Sequence, residues 1–295
     1  MSTANGRRIG EISITRALEM LMPFDRRAFF PEVPDAAWGP YLDWLAPNAY
    51  DPAIDALIFP MQSYIVRTSH HTVLIDTCVG NHKDRPNRPQ WHQKTDATYL
   101  RALAAQGLAP EDIDFVFCTH LHGDHVGWNT RLEDGRWVPT FPNARYVFSK
   151  KELEAWRDVG HPRFSRTVLE DSVLPIVAAG RAELVTNDYA LDDELRLEAT
   201  PGHTPDHVAI VLSSKQQNAV MSGDLMHSPV QCRHPDWAPA ADWEPEEAAR
   251  TRRSFLERYC ETSTLVCTGH FPLPSAGRIV RRGEAFDFEY DATHW

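Results

Sequence analysis

Residues 113–125 hold a short apolar run, Ile113 to Cys118, that leads straight into Thr119-His120-Leu121-His122-Gly123-Asp124-His125. The run has the length and residue types of a buried strand. The segment after it packs four residues of metal-ligand type into six positions. His120 and His122 alternate by two, Asp124 continues that alternation, and His125 points elsewhere. Gly123 permits a turn that a β-carbon would hinder. Neutral imidazole and carboxylate are the ligands that a borderline cation such as Zn²⁺ takes. One ion cannot readily use all four residues, so two adjacent ions are the natural solution.

The same event recurs further along. Leu195 to Ala199 reads as a strand and runs into Thr200-Pro201-Gly202-His203. Ala219 to Ser222 runs into Gly223-Asp224, and Ser263 to Cys267 into Thr268-Gly269-His270. An isolated histidine is more often a satisfied polar residue than a ligand. Four strand ends, each followed within one to four positions by a residue of ligand type, are a different matter. Strand ends bring such residues to one edge of a sheet, where loops build sites.

Around these runs the chain reads as alternating strands and helices. Ile9 to Thr15 alternates like a strand. Gln62 to Thr68 and Thr72 to Asp76 form a hairpin pattern about Ser69-His70-His71. Thr95 to Gln106 has helical spacing, with Leu100, Leu103 and Ala104 on one face and Gly107 as the stop. Arg145 to Phe148 reads as a strand, Lys150 to Arg157 as a helix, His207 to Ser213 as a strand and Pro245 to Tyr259 as an amphipathic helix. Residues 20–60 lack a clean period and read as a long, mostly irregular excursion. It packs by Phe24, Phe29, Phe30, Trp38, Tyr41 and Trp44, and either covers a site or meets a second copy in a homodimer. A single domain over residues 1–295, with sheets inside and helices outside, accommodates this order.

Bulk composition narrows the function classes. Apolar residues make up 42% and charged residues 24%, as in ordinary globular proteins. The formal net charge is −11, and basic residues gather only in short clusters such as Arg278, Arg281 and Arg282, so no nucleic-acid partner is expected. The five cysteines include no CxxC pair, which fits core thiols in a reducing compartment. No apolar segment of signal-peptide type follows Arg7-Arg8. No run approaches the roughly 18 apolar residues of a membrane helix. The expected location is the cytoplasm.

Taken in order, His120-x-His122-x-Asp124-His125, Thr200-Pro201-Gly202-His203, Ser222-Gly223-Asp224 and Gly269-His270 resemble the HxHxDH signature and later ligands of the metallo-β-lactamase superfamily. The resemblance implies an α/β fold, a four-layer αβ/βα sandwich of two mixed β-sheets flanked by helices, with metals at one edge. It implies that His120, His122 and His203 hold one ion, that Asp124, His125 and His270 hold the other, and that Asp224 bridges both. Two Zn²⁺ are the expected cofactors, although Mn²⁺, Fe²⁺ or Co²⁺ suit the same ligands. Asp76 matches an Asp that supports the first cluster from behind, and it also reads as a turn residue.

Such a site implies a hydrolase. Metal coordination brings a water towards a pKa near 7, and a metal-bridging hydroxide is the implied attacking group. Asp124 is expected to serve as ligand and as proton carrier to the leaving group. His122 stands where redox flavodiiron relatives carry Glu, which favours hydrolysis. Asp224 stands where several true β-lactamases have Cys or no bridging acid, which ranks β-lactam cleavage low. Gly127-Trp128-Asn129-Thr130, the run from Trp137 to Ala144, and His227-Ser228-Pro229-Val230-Gln231 resemble the branch of methyl parathion hydrolases and N-acyl-homoserine lactonase-like enzymes.

That branch implies a small-molecule carboxylic ester or lactone as substrate. Phosphotriester or phosphodiester hydrolysis is the alternative, with β-lactamase, nuclease and non-catalytic sensor behind it. Its lactonases place a carbonyl-polarising Tyr soon after the bridging Asp. Here the stretch is Leu225-Met226-His227, which makes His227 a candidate catalytic substitute. Trp128 and Phe29 are candidates for the substrate pocket, with ordinary core packing as the plain alternative. Asp206 is expected to face solvent in its turn, contact with a ligand histidine being the other possibility.

Overall fold

The structure, a computed structural model, describes residues 6–158 and 166–291. These form two compact units: residues 6–20, 61–158 and 166–189 in the first, residues 21–60 and 190–291 in the second. Among the described residues no helix is long and apolar enough to cross a membrane. The architecture is α/β, with mixed sheets joined by helical crossovers.

The first sheet opens with β1 (Arg7–Ile9) and β2 (Ile12–Asp25). The run from Ile9 to Thr15, expected as one strand, is instead a hairpin that turns at Gly10, where φ is +57°. A side chain other than glycine adopts that backbone only at a cost. Next come β3 (Tyr50–Asp51), β4 (Ala56–Arg67), β5 (Thr72–Ile75) and β6 (Phe115–Phe117). A separate hairpin, β7 (Thr130–Glu133) and β8 (Arg136–Pro139), turns on Asp134-Gly135, both at positive φ. The last strands are β9 (Arg145–Ser149) and β10 (Ala182–Val185).

The sheet order is β1-β2-β4-β5-β6-β9-β10, with β3 also on β4. The β4–β5 hairpin is antiparallel, as expected, and β5, β6, β9 and β10 run parallel. Parallel strands are covered on both faces, which explains the uninterrupted apolar text of Val73-Leu74-Ile75 and Phe115-Val116-Phe117. The helix Thr98–Ala105 connects β5 to β6 and buries Tyr99 and Leu103. Its inner face is therefore rotated from the expected Leu100, Leu103 and Ala104, since Tyr99 and Leu103 are one helical turn apart.

Residues 20–60 are largely regular, contrary to the expected excursion. β2 continues to Asp25, whose carboxylate caps the short helix Arg26–Phe29 by accepting from the Arg27 and Ala28 amides. A second helix, Asp35–Leu45, comes after it. Pro23 inside the strand and Gly39-Pro40 inside the helix hide these elements, because both residue types normally interrupt them. Phe30 and Trp38 are fully buried, whereas Trp44 is exposed at its edge.

The second sheet runs in chain order: β11 (Leu195–Ala199), β12 (Val208–Ser214), β13 (Gln217–Met221), β14 (Leu265–Cys267), β15 (Ala276–Arg282) and β16 (Ala285–Tyr290). Only β13 and β14 pair in parallel, joined by the helix Pro245–Tyr259, whose bounds agree with the sequence reading. That helix buries Ala248, Arg252, Phe255, Leu256 and Tyr259 at helical spacing. Phe255 and Leu256 pack with Val211, Val220, Val266, Ile279 and Phe286 into one core. Four of the five cysteines are buried, and all are free thiols.

Candidate metal centre

In the first unit the parallel pairing of β5 and β6 places Asp76 beside the segment that leaves β6. The register sets Ile75 opposite Phe117, and the Asp76 amide donates to the Phe117 carbonyl at 2.9 Å. The Asp76 carboxylate accepts from the Thr119 amide at 2.8 Å, from the Thr119 hydroxyl at 2.9 Å and from His125 Nδ1 at 2.8 Å. It is a turn residue as well, at φ +59°. Thr119 Oγ1 also lies 3.0 Å from His120 Nδ1. One carboxylate thus anchors both ends of the loop and leaves His125 Nε2 on the side of Asp124.

His120 Nε2 and His122 Nδ1 face each other at 3.0 Å. Two nitrogens bound to one tetrahedral zinc, each at about 2.0–2.1 Å, would stand about 3.3 Å apart, so this spacing fits a shared ion. Asp124 lies on the one-turn helix Gly123–Val126, with an oxygen 3.8 Å from His125 Nε2. Trp128 is buried. Its Nε1 donates to Glu19 at 2.7 Å and its ring stacks on Tyr99, so the residue expected in a substrate pocket spends its polar atom inside this unit.

In the second unit His203, Asp224, His227 and His270 come together, all buried. His270 Nδ1 donates to the Pro60 carbonyl at 3.0 Å, and its Nε2 faces Asp224 Oδ1 at 3.1 Å. His203 Nδ1 lies 2.8 Å from Asp242 Oδ1, and its Nε2 stands 3.5 Å from Asp224 Oδ2. The ligand atoms of Asp224, His227 and His270 all fall within 4.8 Å of one another. Gly269 makes this approach possible, because a Cβ there would meet Asp224 Oδ1 at 3.0 Å. Phe29, half-buried, sets its ring edge-on to His227 with centroids 5.0 Å apart, and Phe59 packs beside His270.

The donor chemistry tests whether these residues suit a cation. A carbonyl oxygen only accepts, so His270 Nδ1 carries the hydrogen and a neutral ring presents a bare lone pair at Nε2. That lone pair faces a carboxylate oxygen. His203 and His125 repeat the pattern, each with Nδ1 on a carboxylate and Nε2 directed towards Asp224 or Asp124. Acceptors facing acceptors in a buried setting are costly unless positive charge lies between them. The residues therefore fit divalent ions.

Several supporting residues carried no recognisable sequence signal. Asp242 holds His203, and its other oxygen accepts from Arg252 at 3.2 Å. Burial raises the Asp242 carboxyl pKa, and the neighbouring Arg252 guanidinium opposes that rise. His207 Nε2 accepts the Asp224 amide at 3.0 Å while its Nδ1 lies 2.8 Å from the Thr200 hydroxyl. Asp206 is buried, not solvent-facing as expected from its turn.

The family model of the metallo-β-lactamase superfamily matches residues 59–270. The chain is 22% identical over 226 residues to N-acyl homoserine lactonase of Bacillus cereus, covering 72% of this chain and 82% of that protein. Its fold is similar to that of AidC, a dizinc quorum-quenching lactonase solved with a product homoserine, at a TM-score of 0.81, 21% identity and 99% coverage of both chains. The hydrolase AbOPH of the β-lactamase superfamily is similar to the same degree, with a TM-score of 0.81, 22% identity and 99% coverage of both chains. With the family model spanning most of its length and the same fold in these neighbours, the chain belongs to the metallo-β-lactamase superfamily of hydrolases.

Proposed function

We propose that this hydrolase is dinuclear and cleaves a carboxylic ester, in particular a lactone. The observation that carries the reading is the acceptor pair at Asp224, where His270 Nε2, with Nδ1 committed to a carbonyl, faces Oδ1 at 3.1 Å. In this reading, carried over from the family resemblance, His120, His122, Asp124, His125, His203, Asp224 and His270 would be the metal ligands. Zinc is the proposed metal, because this nitrogen and carboxylate set suits it. When bound, the ions supply Lewis acidity towards a substrate carbonyl and lower the pKa of a water.

Asp124 is the proposed proton carrier. Its side chain is 14% exposed, against 4% for His125, Asp224 and His270, so it has a route for a proton that the more deeply buried groups lack. Phe29 is proposed as an apolar wall for the acyl or aryl part of a small-molecule substrate, since it is the half-buried member of the ring cluster at His227. The N-acyl homoserine lactonases among the relatives favour a lactone over a phosphotriester.

The test is a substrate panel on metal-loaded and metal-stripped protein. Lactones and aryl esters should turn over faster than phosphotriesters, a chelator should abolish the activity, and Zn²⁺ should restore it. Full activity after exhaustive metal removal would refute the reading. A preference for phosphotriesters would overturn its substrate half alone.

A further inference from the structure

We propose that His227 is a positioning residue that fixes the carboxylate of Asp224, and is neither a metal ligand nor the donor to a substrate carbonyl. The proposal rests on the reading that Asp224 holds metal. His227 Nε2 lies 3.1 Å from Asp224 Oδ2, and both side chains are only 4% exposed. A carboxylate oxygen accepts, so the imidazole donates from Nε2. That commits the hydrogen a substrate carbonyl would need.

The remaining nitrogen separates His227 from four of the five proposed ligand histidines. His120, His125, His203 and His270 each have Nδ1 engaged, by Thr119, Asp76, Asp242 and the Pro60 carbonyl respectively. Metal-bound imidazoles are almost always steadied this way, which fixes tautomer and aim. His227 Nδ1 is buried and has no hydrogen-bond partner among the described residues. Its ring is instead placed by packing: parallel to the His270 ring within 9°, at 5.4 Å, with Phe29 against it. The Gln231 side chain accepts the His227 amide at 2.7 Å and sets the backbone beneath.

Asp224 is consequently gripped at both ends. Its amide donates to His207, and its Oδ2 accepts from His227. The terminal torsion of an aspartate is soft. Here it must present Oδ1 to His270 and keep Oδ2 within 3.5 Å of His203. Each carboxylate oxygen has two lone pairs, so His227 can occupy one on Oδ2 and leave the other towards His203.

The test compares wild type with His227→Phe and His227→Gln, each loaded with Co²⁺ and dialysed against graded chelator. Cobalt per chain and its visible absorption are read out, and neither depends on turnover. Phe keeps the ring contacts without the donor, while Gln restores an N–H near the Nε2 position. We expect His227→Phe to lose cobalt about 10–100-fold more readily than wild type, with an altered spectrum, the usual scale for residues that support metal ligands. His227→Gln should match wild type. If His227→Phe does not fold, His227→Asn, too short to reach Oδ2, replaces it. Unchanged cobalt retention in His227→Phe, or in its replacement, overturns the proposal. Equal loss in His227→Gln overturns it in favour of ligation. A wild-type chain that never holds two cobalt ions defeats the dinuclear reading instead.

Discussion

His203 aims Nε2 at Asp224 because its Nδ1 is held by Asp242, whose carboxyl pKa burial raises, a rise that the neighbouring Arg252 guanidinium opposes. Arg252 is itself buried and donates to the carbonyls of Leu225 and Pro235. Removing the carboxylate should therefore do two separable things. Asp242→Ala should weaken metal retention about 10–100-fold, because the His203 ring loses its anchor. It should also destabilise the fold by about 3 kcal/mol, because a buried guanidinium is left without its countercharge. The double variant Asp242→Ala with Arg252→Leu should regain stability in urea melts while metal retention stays weak. Recovery of both would mean that Asp242 serves the fold alone. None of this was legible in the sequence: Asp242 lies 39 residues beyond His203 in a stretch with no motif, and the Pro60 carbonyl that sets His270 has no side-chain signature at all. The histidines and aspartates that face one another were legible, because each comes directly after an apolar strand.

At the scale of elements, the strand ends were readable and the segment between residues 20 and 60 was not. The parallel strands announce themselves by continuous apolar text, and Pro245–Tyr259 by its period. The helix Asp35–Leu45 does not, because Gly39-Pro40 breaks its local propensity and tertiary packing of Trp38 overrides that break. Charges tie this region together: Arg26 and Arg27 both pair with Asp35 and Asp55. The hydrogen bond from Arg26, then that from the Tyr50 hydroxyl, hold the Asp55 carboxyl well below the usual carboxylate range. A carboxyl whose folded pKa is lowered stabilises the fold above its unfolded value near 4, and that contribution fades as pH falls towards the folded value. Calorimetry of wild type and Asp55→Asn at pH 6 and pH 3 should therefore show the variant less stable at pH 6 and the gap narrower, though still open, at pH 3. Solvent reaches this cluster, so the gap will be modest. Curves that stay parallel across that range would rule out the ionised Asp55 as the cause.

At the scale of the whole molecule, the α/β class was legible because alternating strand and helix text leaves few alternatives. The division into two units was not, because each unit draws on stretches far apart in the chain: residues 21–60 belong with 190–291. Each unit has its own buried sheet and does not depend on metal for a core, unlike a zinc finger, whose folding energy is its metal-binding energy. Stripping the metal should therefore leave the far-ultraviolet circular dichroism at 25 °C unchanged. It should still lower thermal stability, because the facing acceptors at Asp224, His203 and His270 lose the charge that reconciles them. An ion present at a thousand times its dissociation constant contributes about 4 kcal/mol to the folded state. For a chain of this length that corresponds to a drop in Tm of roughly 8 °C on chelation. Re-addition of Zn²⁺ should restore the melting curve together with any hydrolase activity that chelation removed. A chelated protein that melts at the loaded temperature would mean that these acceptors hold no metal in solution. One that unfolds outright at 25 °C would mean that the two cores are too weak to stand without it.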